Sequence, residues 1–410
     1  MNQPNPSPGL ALTSAPHRAL FFAGLLSLVA ASAWWALHLC ARYEGAPLFA
    51  LVLHPAPIWA HAYLMLFAVF PTMFFGFLFT VFPRWMNGPL ITRREYLGTA
   101  VLFATGTLLW LIGTFVGLPL LLLACLATGA GLLTGVVALF RVLLAAPQTV
   151  SHAVVTLIGL CVQFVALAGF TYGLWQRNDF ALHFAVRASL WGGLLPVFFA
   201  VCHRMVPFFS QNVVPGYVAW RPAWILVAVV ALAYLRLLLG TAGMLAVLPL
   251  VDAALFVLTA WCALRWTSFR ARGNPLLWSL YAGFAWLPVA ALLQTIRDGT
   301  FALTGEWALG RAPIHALGMG FFGGMLVAMV TRVTMGHSGR PLQMDRVTLG
   351  CFLSIQLAAI FRVGSEIATA PAAVKWLLLG SLVLWLGAVS AWVGRVGGIY
   401  LQPRIDGKPG

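Results

Sequence analysis

The most constraining feature of this chain is a long stretch without charge. Between Glu95 and Arg141 no residue carries a formal charge, and one break at Gly117, Leu118 and Pro119 divides the stretch into two apolar lengths. Each length is roughly 20 residues or more, enough for a helix to cross a ~30 Å hydrocarbon core. Only helices and closed barrels satisfy their backbone in lipid, and these segments lack the alternation of a barrel strand. The stretch therefore predicts transmembrane α-helices.

The composition extends this prediction to the whole chain. Of its 410 residues, 61% are apolar and 8% are charged, which is typical of a polytopic integral membrane protein. Apolar segments between charged residues, Pro and Gly predict about twelve transmembrane helices in an all-α membrane bundle. Their approximate ranges are 19–40, 57–82, 97–116, 119–144, 151–175, 184–206, 222–240, 242–264, 275–296, 312–335, 347–368 and 373–396.

The two ends of the chain are predicted to lie outside the bundle. Residues 1–18 are rich in Pro, Asn, Ser and Ala, which favours a disordered arm. The following stretch lacks a convincing small-residue cleavage site, so we expect the first span to be a retained helix. The predicted organisation is an arm over 1–18, a single twelve-helix membrane domain over 19–397 and a tail over 398–410.

The basic residues indicate the topology and the partner. With the N-terminus inside, the 24 Lys and Arg residues divide two to one in favour of the inner side, which predicts that both termini are cytoplasmic. The net charge of +15 is scattered over the loops, without the long basic run that would indicate nucleic acid. The predicted partner is therefore the lipid bilayer. The six cysteines include no C-x-x-C pair, so no disulfide framework or zinc site is indicated.

Two copies of a His-x-x-x-Met pattern are the strongest functional signal. His61 with Met65 and His315 with Met319 lie about one turn into spans two and ten, both entered from the outer side. Residues four apart share a helix face, so each pair offers an imidazole and a thioether to haem iron or copper. Alternatively, each His donates to a helix carbonyl and each Met fills a gap. The repetition at matched depth favours ligands that reach a common centre.

A second group of polar residues lies near the inner ends of spans six and ten. Cys202, His203 and Met205 are copper candidates in one cluster, and His337 is a candidate in the other. The adjacent arginines could hold haem propionates or an anionic head group, or simply anchor the helices at the membrane surface. At the outer entrance to span six, His183 and Arg187 form a looser group with His54. For His17, His38 and His152 we predict no role.

Three blocks of the chain resemble the NnrS family. They are His61-Ala-Tyr-Leu-Met65 continuing to Gly76–Trp85, Arg187–Trp191 leading into Cys202–Phe209, and His315-Ala-Leu-Gly-Met319 continuing through Met329–Arg332 to Gly336–Pro341. The resemblance implies a bacterial inner-membrane protein with haem held by intramembrane histidines, a copper content and a role in the response to nitric oxide and nitrosative stress. The electron donor and any catalytic turnover are not implied.

The first block departs from the family pattern at two positions. Tyr63 and Leu64 stand where NnrS proteins often carry a second His and a Glu. Tyr63 could donate a hydrogen bond to a ligand, but it cannot replace a neutral imidazole as a ligand for a soft metal. Any copper ligation or proton transfer by those family residues is therefore not expected here.

The chain also resembles, more distantly, the large subunit of haem-copper oxidases, in which haem lies between the second and tenth of twelve helices. That subunit needs two adjacent histidines on span seven, and Pro222 to Gly240 contains none. The nine acidic residues are expected in loops or near the interface, so proton pumping is not indicated either. Likeness of fold does not transfer the reaction.

Our working hypothesis places haem b near the outer face. His61 and His315 are the predicted ligands, Met65 and Met319 competing or supporting ligands, and Arg187 and Arg311, together with Arg297, the partners of the propionates. If both axial ligands are His, the iron is low-spin and suited to electron transfer; if one is weak or displaced, nitric oxide or another small diatomic molecule can bind the iron. The alternative is a secondary transporter with a midplane site and no haem. It would leave the paired His-x-x-x-Met helices unexplained.

Overall fold

The structure, a computed structural model, describes residues 11–44 and 54–407. It confirms the all-α prediction, because 84% of the described residues are helical and none of them lies in a strand. Among these residues, twelve helices are long and apolar enough to cross a membrane. They are α1 Pro16–Glu44, α2 Pro57–Met86, α3 Arg93–Val116, α4 Leu118–Ala145, α5 Ser151–Gln176, α6 Asp179–Val213, α7 Ala223–Thr241, α8 Leu248–Trp266, α9 Pro275–Thr304, α10 Ala312–His337, α11 Arg346–Ile367 and α12 Pro371–Tyr400.

Local sequence explains where several helices begin and end. Pro57 and Pro275 occupy first-turn positions of α2 and α9, where the missing N–H costs nothing. Thr92 and Glu95 form a capping box at the start of α3. Gly117 separates α3 from α4 with a φ of 124°, a conformation that residues with a Cβ rarely adopt. The predicted break in the uncharged stretch is thus a tight turn between two helices.

The first helix begins inside the region predicted as an arm. α1 starts at Pro16, and the side chains of His17 and Arg18 are buried. Residues 1–10 of the predicted arm and residues 408–410 of the predicted tail lie outside the described residues. The described part of the tail ends in turns that pack against Ser338, whose carbonyl accepts a hydrogen bond from the Ile405 N–H at 3.2 Å.

Three of the twelve helices are much more buried than the rest. In their most apolar stretches, 83% of the residues of α2, 83% of α6 and 78% of α10 are buried, whereas the other nine helices range from 28% to 61%. The outer faces of those nine carry many exposed apolar side chains, as expected for contact with lipid. The helices that carry the candidate ligands are therefore the interior helices.

The same three helices contain π-helical turns. The π-helical segments are Leu64–Val69 in α2, Ala188–Leu194 in α6 and Ala316–Gly323 in α10. A π-helical turn contains one residue more than an α-helical turn, is rare, and occurs frequently at functional sites. These segments begin directly after Arg187 and His315 and three residues after His61.

The chain divides into two compact units. Unit 1 comprises residues 1–197, 337–340 and 393–410, and unit 2 comprises 198–336 and 341–392. In unit 1, α3 packs along α4, and α1 packs along α2 and α3. In unit 2, α8 packs along α9, and both α9 and α11 pack against the π-helical segment of α10. His61 therefore belongs to unit 1 and His315 to unit 2.

Candidate functional site

In unit 1, His61 lies against an aromatic wall from α1. The ring of Trp35 stacks on the His61 ring with a centroid distance of 4.3 Å and an interplanar angle of 25°. His61 and Met65 are both partly exposed, whereas the intervening Tyr63 and Leu64 are fully buried. The His-x-x-x-Met face of α2 is thus the accessible face of an otherwise buried segment.

Tyr63 faces away from that accessible face. Its ring stacks on Trp110 at 3.6 Å, and its hydroxyl lies 2.6 Å from the Thr128 Oγ1 and 3.1 Å from the Ala124 carbonyl oxygen, to which it donates. The hydroxyl therefore joins α2 to α4. The hydrogen bond from Tyr63 to a ligand, considered on the sequence, is replaced by this structural link.

A single buried glutamine joins the two π-helical segments of unit 1. Gln163 of α5 is 1% exposed, and its Nε2 donates to the Leu66 carbonyl oxygen at 2.6 Å. Its Oε1 accepts from the Ser189 hydroxyl at 3.0 Å. A carbonyl displaced from regular helical bonding by a π-helical turn needs another donor, and Gln163 supplies it. Sequence reasoning missed this residue because a lone Gln in an apolar span has no motif.

In unit 2, a backbone carbonyl orients the ring of His315. The His315 Nδ1 lies 3.0 Å from the Arg311 carbonyl oxygen. Because a carbonyl oxygen only accepts, the Nδ1 must donate, and in the neutral imidazole the lone pair then resides on Nε2. Metal-binding histidines are commonly oriented by such a bond. This bond also agrees with the alternative reading, in which the histidine only donates to a helix carbonyl. It involves Nδ1 alone, so it does not decide what Nε2 binds.

Glycines and aromatic rings hold the π-helical segment of α10. A Cβ at Gly320 would overlap the ring of Trp286, which packs on this segment from α9. The Trp286 Nε1 donates to the Gln356 Oε1 of α11 at 2.7 Å. A Cβ at Gly324 would lie 3.0 Å from the Gln356 Nε2. The close approach of these side chains therefore requires glycine after His315.

The arginines predicted to bind propionates lie near the histidines in sequence. Arg187 and Arg311 are exposed; Arg187 directly precedes a π-helical segment, and Arg311 directly precedes the first residue of α10. The Arg311 backbone N–H donates to the Glu366 Oε2 at 3.0 Å, which fixes the start of α10 on α11. The guanidinium of Arg297 stacks on Trp307 at 4.0 Å and bonds with the Asp298 Oδ1 at 3.1 Å. Arg297 therefore already has partners in its own unit.

The copper candidates of unit 2 are packed into the protein interior. Cys202 is 1% exposed, and the buried His203 Nε2 lies 3.2 Å from the Pro222 carbonyl oxygen, to which it donates. The ring of His203 also contacts Phe199 and Trp266. Within residues 11–44 and 54–407, no three His, Cys, Asp or Glu side chains come close enough together to hold a metal ion. His203 serves to anchor the loop after α6.

Tyr217 and Trp266 strengthen the same anchor. The Tyr217 hydroxyl donates to the Trp266 carbonyl oxygen at 3.2 Å, and the Trp266 Nε1 donates to the Trp220 carbonyl oxygen at 2.9 Å. Burial raises the pKa of Tyr217 to about 12, so the phenol stays protonated and remains a donor at neutral pH. The loop between α6 and α7 is thereby fixed over His203.

A buried ionic cluster in unit 2 was not anticipated. Asp252 and Asp298 are 0% and 2% exposed, and both bond with Arg236, at 2.5 Å and 2.7 Å respectively. The Gln294 Nε2 donates to the Asp298 Oδ1 at 2.8 Å. These residues join α7, α8 and α9 near the helix ends on the predicted outer side. Buried charges are stable only when paired, so the cluster depends on all three members.

Arg332 and His337, near the predicted inner end of α10, lie in separate environments. Arg332 of unit 2 is 5% exposed, and its guanidinium lies over the Phe209 ring at 4.1 Å. His337 of unit 1 lies beside His17, with a centroid distance of 4.6 Å between the rings. His17, for which the sequence predicted no role, is therefore part of the same cluster as a predicted site residue.

The twelve helices that are long and apolar enough to cross a membrane define a polytopic α-helical membrane protein. Three of them are largely buried and contain π-helical turns beside candidate ligands. The chain belongs to the NnrS family, since the model of the NnrS protein family matches residues 11–404. This confirms the resemblance carried by the three sequence blocks. A comparison with curated proteins finds no match to the chain.

Proposed function

We propose that this NnrS protein binds haem b through His61 and His315 and acts in the response to nitric oxide and nitrosative stress at a bacterial inner membrane. The observation that carries the proposal is the π-helical turn beside each His-x-x-x-Met histidine, within the interior helices α2 and α10. Such turns are rare and occur frequently at functional sites. The proposal assigns the imidazoles of His61 and His315 to haem iron.

The orientation of His315 supports its part of the proposal. With Nδ1 donating to the Arg311 carbonyl oxygen, the imidazole presents the lone pair of Nε2 and loses little rotational freedom on ligation. Trp35 performs the corresponding task for His61 by stacking on its ring. Both histidines fit an iron ligand. That the two histidines share one haem is a prediction from the sequence.

The remaining side chains have supporting roles in the proposal. Met65 and Met319 lie on the same partly exposed faces as the histidines. In the proposal, their thioethers either compete with the imidazoles as iron ligands or pack around the iron. The exposed guanidiniums of Arg187 and Arg311 suit the carboxylates of haem, which bind arginine bidentately. Bound haem b would supply an iron centre that takes up nitric oxide or passes one electron.

Copper is a second cofactor that family membership suggests. The candidates Cys202, His203 and Met205 are buried or nearly so, and the described residues contain no group of three His, Cys, Asp or Glu side chains that could hold a metal ion. Copper ligation by these residues stays a prediction from the sequence, and no step of the proposal uses copper. Copper content remains a proposal that metal analysis of the purified protein tests.

The proposal is tested by visible spectroscopy of the full chain in detergent. We expect b-type bands in the reduced-minus-oxidised spectrum and a change in those bands when nitric oxide is added. The His315→Ala variant should lose the bands. The His152→Ala variant is the matched control, because His152 lies at the start of α5 beside Trp85 and has no proposed role.

Two results decide between the proposal and its alternative. A colourless, folded wild-type protein would contradict haem binding and favour the transporter hypothesis. Haem bands that do not respond to nitric oxide would contradict direct ligation and limit the role of the haem to electron transfer. Helical content by circular dichroism establishes that each preparation is folded.

A further inference from the structure

One end of unit 1 collects histidines and arginines from separate parts of the chain. His17 and Arg18 begin α1, His337 ends α10, and Arg340 follows it. The rings of His17 and His337 lie 4.6 Å apart at an angle of 54°. In the predicted topology this end faces the cytoplasm. We call these four residues the inner basic cluster.

The two arginines of the inner basic cluster are fixed by the end of α12. The Arg18 Nη1 donates to the carbonyl oxygens of Gln402 at 2.6 Å and Tyr400 at 3.2 Å. The Arg340 Nη2 donates to the Gln402 Oε1 at 2.8 Å. All of these acceptors are neutral, so neither guanidinium is compensated by a carboxylate through these bonds. The cluster is therefore rigid but keeps its positive charge.

Three buried nitrogen atoms of the cluster have no hydrogen-bond partner among the described residues. They are the His17 Nδ1, the Arg18 Nε and the Arg340 Nη1. His17 is 3% exposed and Arg18 is 2% exposed. A buried polar atom without a partner costs about 1–3 kcal/mol, and more when the group is charged. The two guanidinium nitrogens can only donate, so these atoms indicate an acceptor that binds there.

The surroundings of the cluster favour an anion over a metal cation. The positive charges of Arg18, Arg84 and Arg404 all act on both histidine rings. Asp406 approaches closely because Gly339, with a φ of 73°, has no Cβ at that point. Its carboxylate bonds with Arg404, at 2.6 Å and 2.9 Å. The arginines around both histidine rings favour an anion over a metal cation.

We propose that the inner basic cluster binds a phosphate group. A phosphate offers several oxygen acceptors and a charge that complements the unpartnered guanidinium donors of Arg18 and Arg340. In the tautomer that carries its proton on Nδ1, His17 donates to the phosphate as well. Its source is a phospholipid head group at the predicted inner surface or inorganic phosphate from solution. The site includes neither the proposed haem ligands His61 and His315 nor the proposed propionate partners Arg187 and Arg311.

The test uses native mass spectrometry of the full chain after removal of lipid. Phosphatidylglycerol and a diacylglycerol with the same acyl chains are titrated separately, so that the two lipids differ in the phosphate-containing head group. We expect one phosphatidylglycerol to bind and the diacylglycerol not to bind. In the variants His17→Phe and Arg340→Gln, the affinity for phosphatidylglycerol should fall about tenfold, the effect of one charge-assisted hydrogen bond.

The variants are chosen to preserve packing. His17→Phe keeps a ring beside His337 and Phe21 but removes the nitrogen atoms. Arg346→Gln is the matched control, since Arg346 is exposed at the start of α11 on the same predicted side. This control should bind phosphatidylglycerol as the wild type does. The thermal midpoint of each variant in detergent shows that it is folded.

A second measurement separates the two sources of phosphate. Inorganic phosphate is added at constant ionic strength, with chloride as the reference, and the thermal midpoint is recorded. Stabilisation by phosphate that disappears in Arg340→Gln assigns the site to the soluble anion; selective binding of phosphatidylglycerol assigns it to the lipid. Equal binding of both lipids to wild type and variants, together with no stabilisation by phosphate, would overturn the proposal.

Discussion

The π-helical turn after His61 and the one after His315 follow the same sequence pattern but are held differently by their neighbours. In unit 1, both polar atoms of the Gln163 amide have partners, the Leu66 carbonyl and the Ser189 hydroxyl. In unit 2, the Gln356 Oε1 accepts from Trp286, but its Nε2 is buried without a partner among the described residues. One segment is fixed by hydrogen bonds and the other mainly by packing.

This difference shows that a π-helical turn is maintained by its surroundings. The extra residue leaves backbone carbonyls without regular partners, and the structure compensates through a polar side chain or through close contacts at glycine. The comparison between Gln163 and Gln356 can be tested with the same substitution in both units.

The largest effect is expected at Gln163. In Gln163→Leu, the Leu66 carbonyl and the Ser189 hydroxyl both lose their partner in a buried environment. Two such losses should lower the free energy of unfolding by about 3 kcal/mol. Denaturant unfolding in mixed detergent micelles measures this, and a change below about 1 kcal/mol would show that the two hydrogen bonds of Gln163 are unimportant for stability.

A smaller effect is expected at the glycines of α10. In Gly320→Ala the new Cβ overlaps the Trp286 ring, which should cost about 2 kcal/mol of unfolding free energy. Gly318→Ala is the control from the same segment, because a Cβ there meets no atom within 4 Å. Equal midpoints for the two variants would contradict the packing described for unit 2.

Removal of the Tyr63 hydroxyl tests whether this side chain serves the fold or a ligand. Tyr63→Phe loses the bonds to Ala124 and Thr128 but keeps the stacking on Trp110, so we expect a loss of about 1 kcal/mol of unfolding free energy. The haem spectrum should be unchanged. A shifted spectrum with unchanged stability would place Tyr63 at the ligand instead.

The smallest effect is expected at Gln356. Gln356→Leu loses the bond from Trp286 but also removes a buried, unpartnered amide nitrogen, and these changes oppose each other. The free energy of unfolding should change by less than about 1 kcal/mol. A loss as large as that in Gln163→Leu would remove the distinction between the two units.

The twelve helices could be predicted because each is a long apolar run ended by charge, Pro or Gly. The π-helical turns could not be predicted, since one extra residue per turn leaves the hydropathy unchanged and depends on partners such as Gln163 of another helix.

The burial of Asp252 and Asp298 was also missed. Their positions near the ends of apolar spans suggested the interface, whereas burial depends on Arg236, which lies 16 and 62 residues away in sequence.

The most direct test of the account is the haem content per chain of His61→Ala and His315→Ala, measured beside wild type and His152→Ala. We predict that the wild type and the control retain haem b and that both ligand variants lose it while remaining folded. Full haem content in either ligand variant would contradict the claim that the π-helical His-x-x-x-Met segments bind the iron.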